Sequence, residues 1–167
     1  MSVQSSITIN VAATESAAPT VPGSATSTLT HLIDYVRPLS SGTTANTADL
    51  VYSGVVSFTT SPTDLDLRGS LTSRLDASAV STVEIVAIVV RNTATSNNLI
   101  VGAGSNPVSS LWIAAGDGVN VLPGGIFILV TPGDPAYTTT AGTADILRIT
   151  ASSGTVTGEV LILGRSA

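Results

Sequence analysis

The chain is predicted to be all-β: an antiparallel β-sandwich or jelly-roll-like barrel of about eight strands, preceded by an extended N-terminal arm. Three observations lead there. Short apolar runs such as Ile126–Val130 recur, each bounded by turn residues. The apolar fraction is 43 % but aromatic residues supply only 4 %, so the core must be built from Val, Ile, Leu and Ala. Val and Ile are stiff at χ1 and pack well on a pleated surface. Almost nothing reads as helix. Only 70–79, "SLTSRLDASA", spaces Leu71 and Leu75 as a helical turn would.

The elements follow in order. Residues 1–46 are assigned to the arm and 47–167 to the sandwich domain. In the arm, "TESAAPTVPGSATSTLT" holds few large apolar groups and cannot by itself offset the entropy of ordering. Ile7, Ile9 and Val11 nevertheless alternate as a strand does, and "THLIDYVRPL" (Thr30 to Leu39) reads as one extended segment. Two readings stand side by side: an arm ordered against a neighbouring subunit, and a mobile terminus.

From Asp49 onward the predicted strands are 50–58, 65–68, 83–91, 98–102, 119–122, 126–131, 137–140, 145–150 and 156–163. The separators, among them "TTSPTD", "NTATSN", "PGG" and "TPGDP", each carry Gly, Pro, Asn or Asp. These residues supply the backbone conformations that turns need. If Ser153 and Gly154 form a two-residue turn, Arg148 lies opposite Glu159 and Thr150 opposite Thr157. Runs such as Ile85–Val90 and Ile126–Val130 are apolar on both faces. The opposite sheet covers one face, and a helix, the arm or another subunit must cover the other.

Charge is scarce. Charged residues make up 10 % of the chain, against about 25 % in ordinary soluble domains. All six cations are arginines, there is no lysine, and the net charge is −5. Such a chain has no basic footprint for phosphates, so neither nucleic acid nor a membrane is expected as a partner. A surface of hydroxyls and amides lets large areas associate without desolvating ions, which points to assembly. No cysteine is present, so no disulfide is needed. The N-terminus lacks the basic start and apolar stretch of a signal peptide. The longest apolar run, Ile85–Val90, is far short of a membrane helix.

Residues able to do chemistry are nearly missing. "VLPGG" resembles a turn of the cupin barrels, but a cupin metal site needs several histidines, and this chain has only His31, in the arm. No Gly-x-Ser-x-Gly elbow exists, and without Cys or Lys, thiol and Schiff-base chemistry are excluded. "GAGSNP" lacks the third glycine and the helix of a dinucleotide fingerprint. Asp64 and Asp66 would share a strand face as paired carboxylates or calcium ligands; the plainer reading is a turn residue and a solvent-facing one. Asp117 and Asp134 read as turn residues. No catalytic, cofactor-binding or metal residue is assigned, and no enzyme is expected. Trp112, the only tryptophan, either plugs the end of the sandwich or seats in a partner. The residues expected to meet a partner are Trp112, Tyr35, His31 and Arg37.

The stretch from about Leu65 to Leu163 resembles small virion proteins of tailed bacteriophages. The likeness rests on "LDLRGSLTSRLD", "VEIVAIVVRNTATSNNLIVGAGSNP", "VLPGGIFILVTPGD" and "TAGTADILRITASSGTVTGEVLILG". These are strand and turn motifs, so the resemblance implies a sandwich that builds particles and implies no reaction. It implies a capsid decoration or cement protein on the outer surface of the virion, made in the host cytoplasm. The partners would be the major capsid protein and further copies of the chain, as a homotrimer. A tail, fibre or baseplate component and a carbohydrate-binding module are the alternatives.

Overall fold

The computed structural model describes residues 3–17, 25–69, 71–102, 104–108, 111–114 and 116–167. The arm stretch 18–24, and Ser70 at the start of the expected helical turn, lie outside them. Among the described residues there are strands and no helix. The chain divides into two units. One is Ser5–Leu39; the other is Ser40–Ala167 with Val3 and Gln4. The divide therefore falls at Leu39, not after residue 46.

The smaller unit is a two-stranded ribbon. Its strands β1 (Ser5–Ala17) and β2 (Ser27–Leu39) pair antiparallel along their whole length, from Ser5 opposite Leu39 to Ala17 opposite Ser27. Thirteen residues per strand make it about 44 Å long. The two-residue period sorts its side chains. One face carries Ile7, Ile9, Val11, Leu29, Ile33 and Tyr35; the other is mostly Ser, Thr and Asn.

The larger unit holds β3 (Leu50–Thr59), β4 (Thr63–Asp66), β5 (Leu71–Thr72), β6 (Ala79–Val80), β7 (Glu84–Asn92), β8 (Leu99–Gly102), β9 (Gly118–Val121), β10 (Ile126–Val130), β11 (Tyr137–Thr138), β12 (Ile146–Ala151) and β13 (Thr155–Arg165). One sheet runs β10-β7-β13-β3, with β11 against the start of β7; the second runs β4-β12-β8-β9. The pairings are nested: β3 with β13, β4 with β12, β7 with β10, β8 with β9. That is one long hairpin. Rolling it up adds the contacts β13 with β7 and β12 with β8. The result is the strand order of an eight-stranded jelly roll.

The core lies between the sheets. Phe58, Ile88, Val90, Val156, Val160 and Ile162 come from one, and Leu99, Val101, Leu147 and Ile149 from the other. Each such burial contributes about 1.5–3 kcal/mol. Asn92 sits among them fully buried, with every group engaged. Its Nδ2 donates to the carbonyls of Asn97 and Val121, both at 3.0 Å, and its Oδ1 accepts the Ala94 amide at 3.0 Å. It thereby shapes the loop after β7.

Two expectations need correction. Residues 71–80 are not helical: β5 and β6 pair Leu71 with Val80 and Thr72 with Ala79. Leu71 is buried while Leu75 is exposed at the tip, held by the turn in which Ser78 binds Asp76 Oδ1 through its amide (3.1 Å) and hydroxyl (2.7 Å). Leu71 and Leu75 thus share no face. The last hairpin is not a hairpin either. β12 and β13 belong to different sheets, so Arg148 and Glu159 do not face each other. The link 152–154 crosses the sandwich, because rolling the long hairpin places consecutive strands in opposite sheets.

The scarce charges act as cross-strand staples. Arg148 faces Asp64 across β12 and β4, with Nε and Nη2 at 2.6 and 2.7 Å from its two oxygens. Arg91 faces Glu159 across β7 and β13, at 3.2 Å. Arg165 faces Glu84 at 2.5 Å, and this pair is buried. Arg165 also donates to the carbonyls of Thr47 (3.2 Å), Pro132 (2.9 Å) and Gly133 (2.7 Å). One side chain therefore ties the end of β13 to β7, to the segment before β3 and to the turn after β10.

Candidate functional site

The features with functional potential are apolar surfaces, and the first is the ribbon. Val11 is 56 % exposed, Leu29 58 % and Ile33 68 %, all on one face. Leu32 and Val36 are equally open on the other. A two-stranded ribbon is at best marginally stable in water. Covering the exposed halves of Val11, Leu29 and Ile33 contributes about 1 kcal/mol each. Three of the expected contact residues sit on this same face. His31 Nε2 lies 2.9 Å from Glu15 Oε1, and the Arg37 guanidinium lies 5.7 Å from the centre of the Tyr35 ring. On this face His31 stands between Leu29 and Ile33 and Glu15 faces Leu29, so their pair breaks the apolar stripe, while Tyr35 and Arg37 face Ile9 and Ile7.

The second surface is the outer face of the first sheet. Its residues alternate with those of the core: Val55 on β3, Leu161 on β13, Val89 on β7, Ile126 and Ile128 on β10. Toward one end the face is closed, with Ala87 and Leu163 buried. There the segment 46–49 is hydrogen-bonded to Pro132, Gly164 and Arg165. Toward the other end it is open: Val55 is 63 % exposed and Ile126 53 %. A shallow groove of about 360 Å³ runs over Val55, Val89, Ile126 and Leu161, rimmed by Arg74 and the Arg91–Glu159 pair. Contiguous exposed apolar patches of this kind mark binding surfaces.

Trp112 belongs to the larger unit, apart from the ribbon residues. Its ring is partly buried against the core, and its Nε1 is enclosed with no hydrogen-bond partner among the described residues. This packing is what the plug reading expects. The side chain this loop displays is its neighbour Ile113, which is fully exposed. Asp117 Oδ2 fixes the turn by accepting the amides of Ile113 (3.1 Å) and Ala114 (2.7 Å). Ile113 and Leu75 were missed in the sequence, where both read as ordinary apolar positions. The turn-forming Asp117 and Asp76 beside them were the available signal.

The carboxylates do not form a catalytic pair. Asp64 is held by Arg148, whose hydrogen bonds keep its carboxyl below the usual carboxylate range. Asp66 Oδ1 accepts the Arg68 amide at 2.9 Å. Among the described residues no three His, Cys, Asp or Glu side chains cluster as a metal ion would require. No helix among them is long and apolar enough to cross a membrane.

Jelly rolls serve as capsid domains, lectins and cupins alike, so the fold leaves the activity open and the surfaces must decide it. Searches against protein-family models, curated proteins and solved structures return no match.

Proposed function

We propose that the protein is a structural component of a phage virion: a capsid decoration or cement protein that binds the assembled head and stabilises it. The observation that carries this reading is the ribbon, a long two-stranded element whose apolar face stands open. In this reading the ribbon is the anchor and the major capsid protein covers its face. Binding only the assembled lattice stabilises that lattice by mass action, with no reaction required. The resemblance to phage virion proteins and the shortage of charged residues support the same reading. Three copies around a local symmetry axis of the shell is the arrangement that resemblance implies.

Copy number tests it. On gradient-purified particles of the phage encoding this chain, the protein should be present in numbers that follow the capsid lattice. A few copies per particle would move the assignment to the tail, fibre or baseplate. Absence from the particle would end the proposal. Ile33→Lys, which places a charge on the open ribbon face, should lower occupancy on the head while the jelly roll stays folded.

A further inference from the structure

β3 is the free edge of the first sheet, and the strand itself carries none of the charges, prolines or bulges that normally blunt an edge. The other edges of the two main sheets are short: five residues in β10, four in β4 and four in β9. β3 has ten residues in unbroken register with β13, with no bulge, no proline and no charged side chain.

The direction of its free groups can be worked out. The Thr157 carbonyl accepts from Thr93 (3.1 Å) and the Arg165 carbonyl from Val83 (2.7 Å), so the odd-numbered residues of β13 direct their backbone groups toward β7. The even-numbered ones then face β3, and the Gly164 carbonyl does accept from Asp49 at 3.1 Å. Their partners on β3 are Leu50, Tyr52, Gly54, Val56 and Phe58. Val51, Ser53, Val55, Ser57 and Thr59 are left with amides and carbonyls pointing outward. None of these makes a backbone hydrogen bond elsewhere among the described residues.

We infer that β3 pairs antiparallel with β3 of a second copy, about a two-fold axis through Val55. The sequence of the strand is complementary to itself in that register. Val55 faces Val55, Ser53 faces Ser57 and Val51 faces Thr59 on the outer face; Gly54 faces Val56 and Tyr52 faces Phe58 on the core side. Every outward residue meets another outward residue, giving roughly ten backbone hydrogen bonds, two per facing pair. Charge is also compatible. The chain carries −5 overall, but none of that charge lies on β3. Arg74, which has no ion-pair partner among the described residues, borders the same groove as Glu159. Doubling the groove across the axis brings the cation of one copy toward the acid of the other. The sheet then runs through both copies, and the open groove becomes one surface twice as long.

The β3 contact does not depend on the virion role, and purified protein is enough to test it. The contact doubles whatever assembly otherwise forms, so full-length protein should have a native mass that is an even multiple of 16.7 kDa. Ser57→Pro removes an outward amide, a change an edge strand tolerates, and should halve that mass. The chain has no cysteine, so Val55→Cys offers a clean cross-link. Hydrogen-bonded antiparallel partners stand about 5.5 Å apart at Cα, within disulfide range. Under mild oxidation Val55→Cys should run almost wholly as a covalent pair. Thr59→Cys, whose copies would lie about 27 Å apart, should not. An odd multiple, a mass that Ser57→Pro leaves unchanged, or equal cross-linking of Thr59→Cys overturns the two-fold contact.

Discussion

The ribbon and the jelly roll are written in the same alphabet and have opposite fates. β13 alternates Val156, Val160 and Ile162 against polar or outer residues, and the inward set is at most 2 % exposed. The ribbon alternates Ile7, Ile9 and Val11 in the same way, and Val11 is 56 % exposed. Alternation therefore specifies a strand and a face, and it does not specify what covers the face. In the body the second sheet does so. Among the described residues of the ribbon's own unit nothing can, because two strands have only each other's edges.

Substitutions can break this comparison at graded strength. The largest loss is expected for Arg165→Ala, which leaves Glu84 buried without its partner and three carbonyls without a donor. Chemical denaturation should show the body destabilised by about 3–5 kcal/mol. Leu147→Ala, at a fully buried site, should cost about 2–5 kcal/mol in the same assay. Next comes Asp64→Asn, which weakens a partly exposed pair and should cost about 0.2–1 kcal/mol. Its effect should depend on pH. The Asp64 carboxyl is depressed in the folded state, so its contribution is present above the unfolded carboxylate pKa and lost as pH falls through the folded one. Parent and Asp64→Asn should therefore converge in acid; a difference that persists there would contradict the Arg148 staple. The smallest change is expected for Ile33→Ala on the ribbon, within about 0.5 kcal/mol of the parent for the isolated chain. A loss as large as that of Leu147→Ala would mean that the ribbon face is already covered.

Much of the body was legible in the sequence because its signals are local. Apolar runs bounded by Gly, Pro and Asn located every long strand, β3 and β7 to within a residue. Partner choice was not legible, because it depends on how the long hairpin rolls. Arg148 and Glu159 each do face an opposite charge, but on other strands: Asp64 and Arg91. The rule that facing charges should be complementary held while the nearest-neighbour pairing did not. The i, i+4 leucines of 71–75 misled for a related reason. Two residues of strand on each side of a tight turn are too few to show a period, and Asp76 with Ser78 was the better guide. Of the contact residues, Tyr35, His31 and Arg37 proved to share one ribbon face. The matching two-residue periods of both strands could have shown this had the pairing of β1 with β2 been drawn. Trp112 could not be decided, since a loop aromatic has no periodicity to read.

The central claim is that the ribbon face is made to be covered by another protein. Amide hydrogen exchange tests it most directly, followed in the free chain and in the chain bound to purified heads. The account predicts that the β7 and β13 amides are protected in both, and that those of Ser5–Ala17 and Ser27–Leu39 exchange fast in the free chain and become protected on the head. Ribbon amides that exchange at the same rate in both states would contradict it.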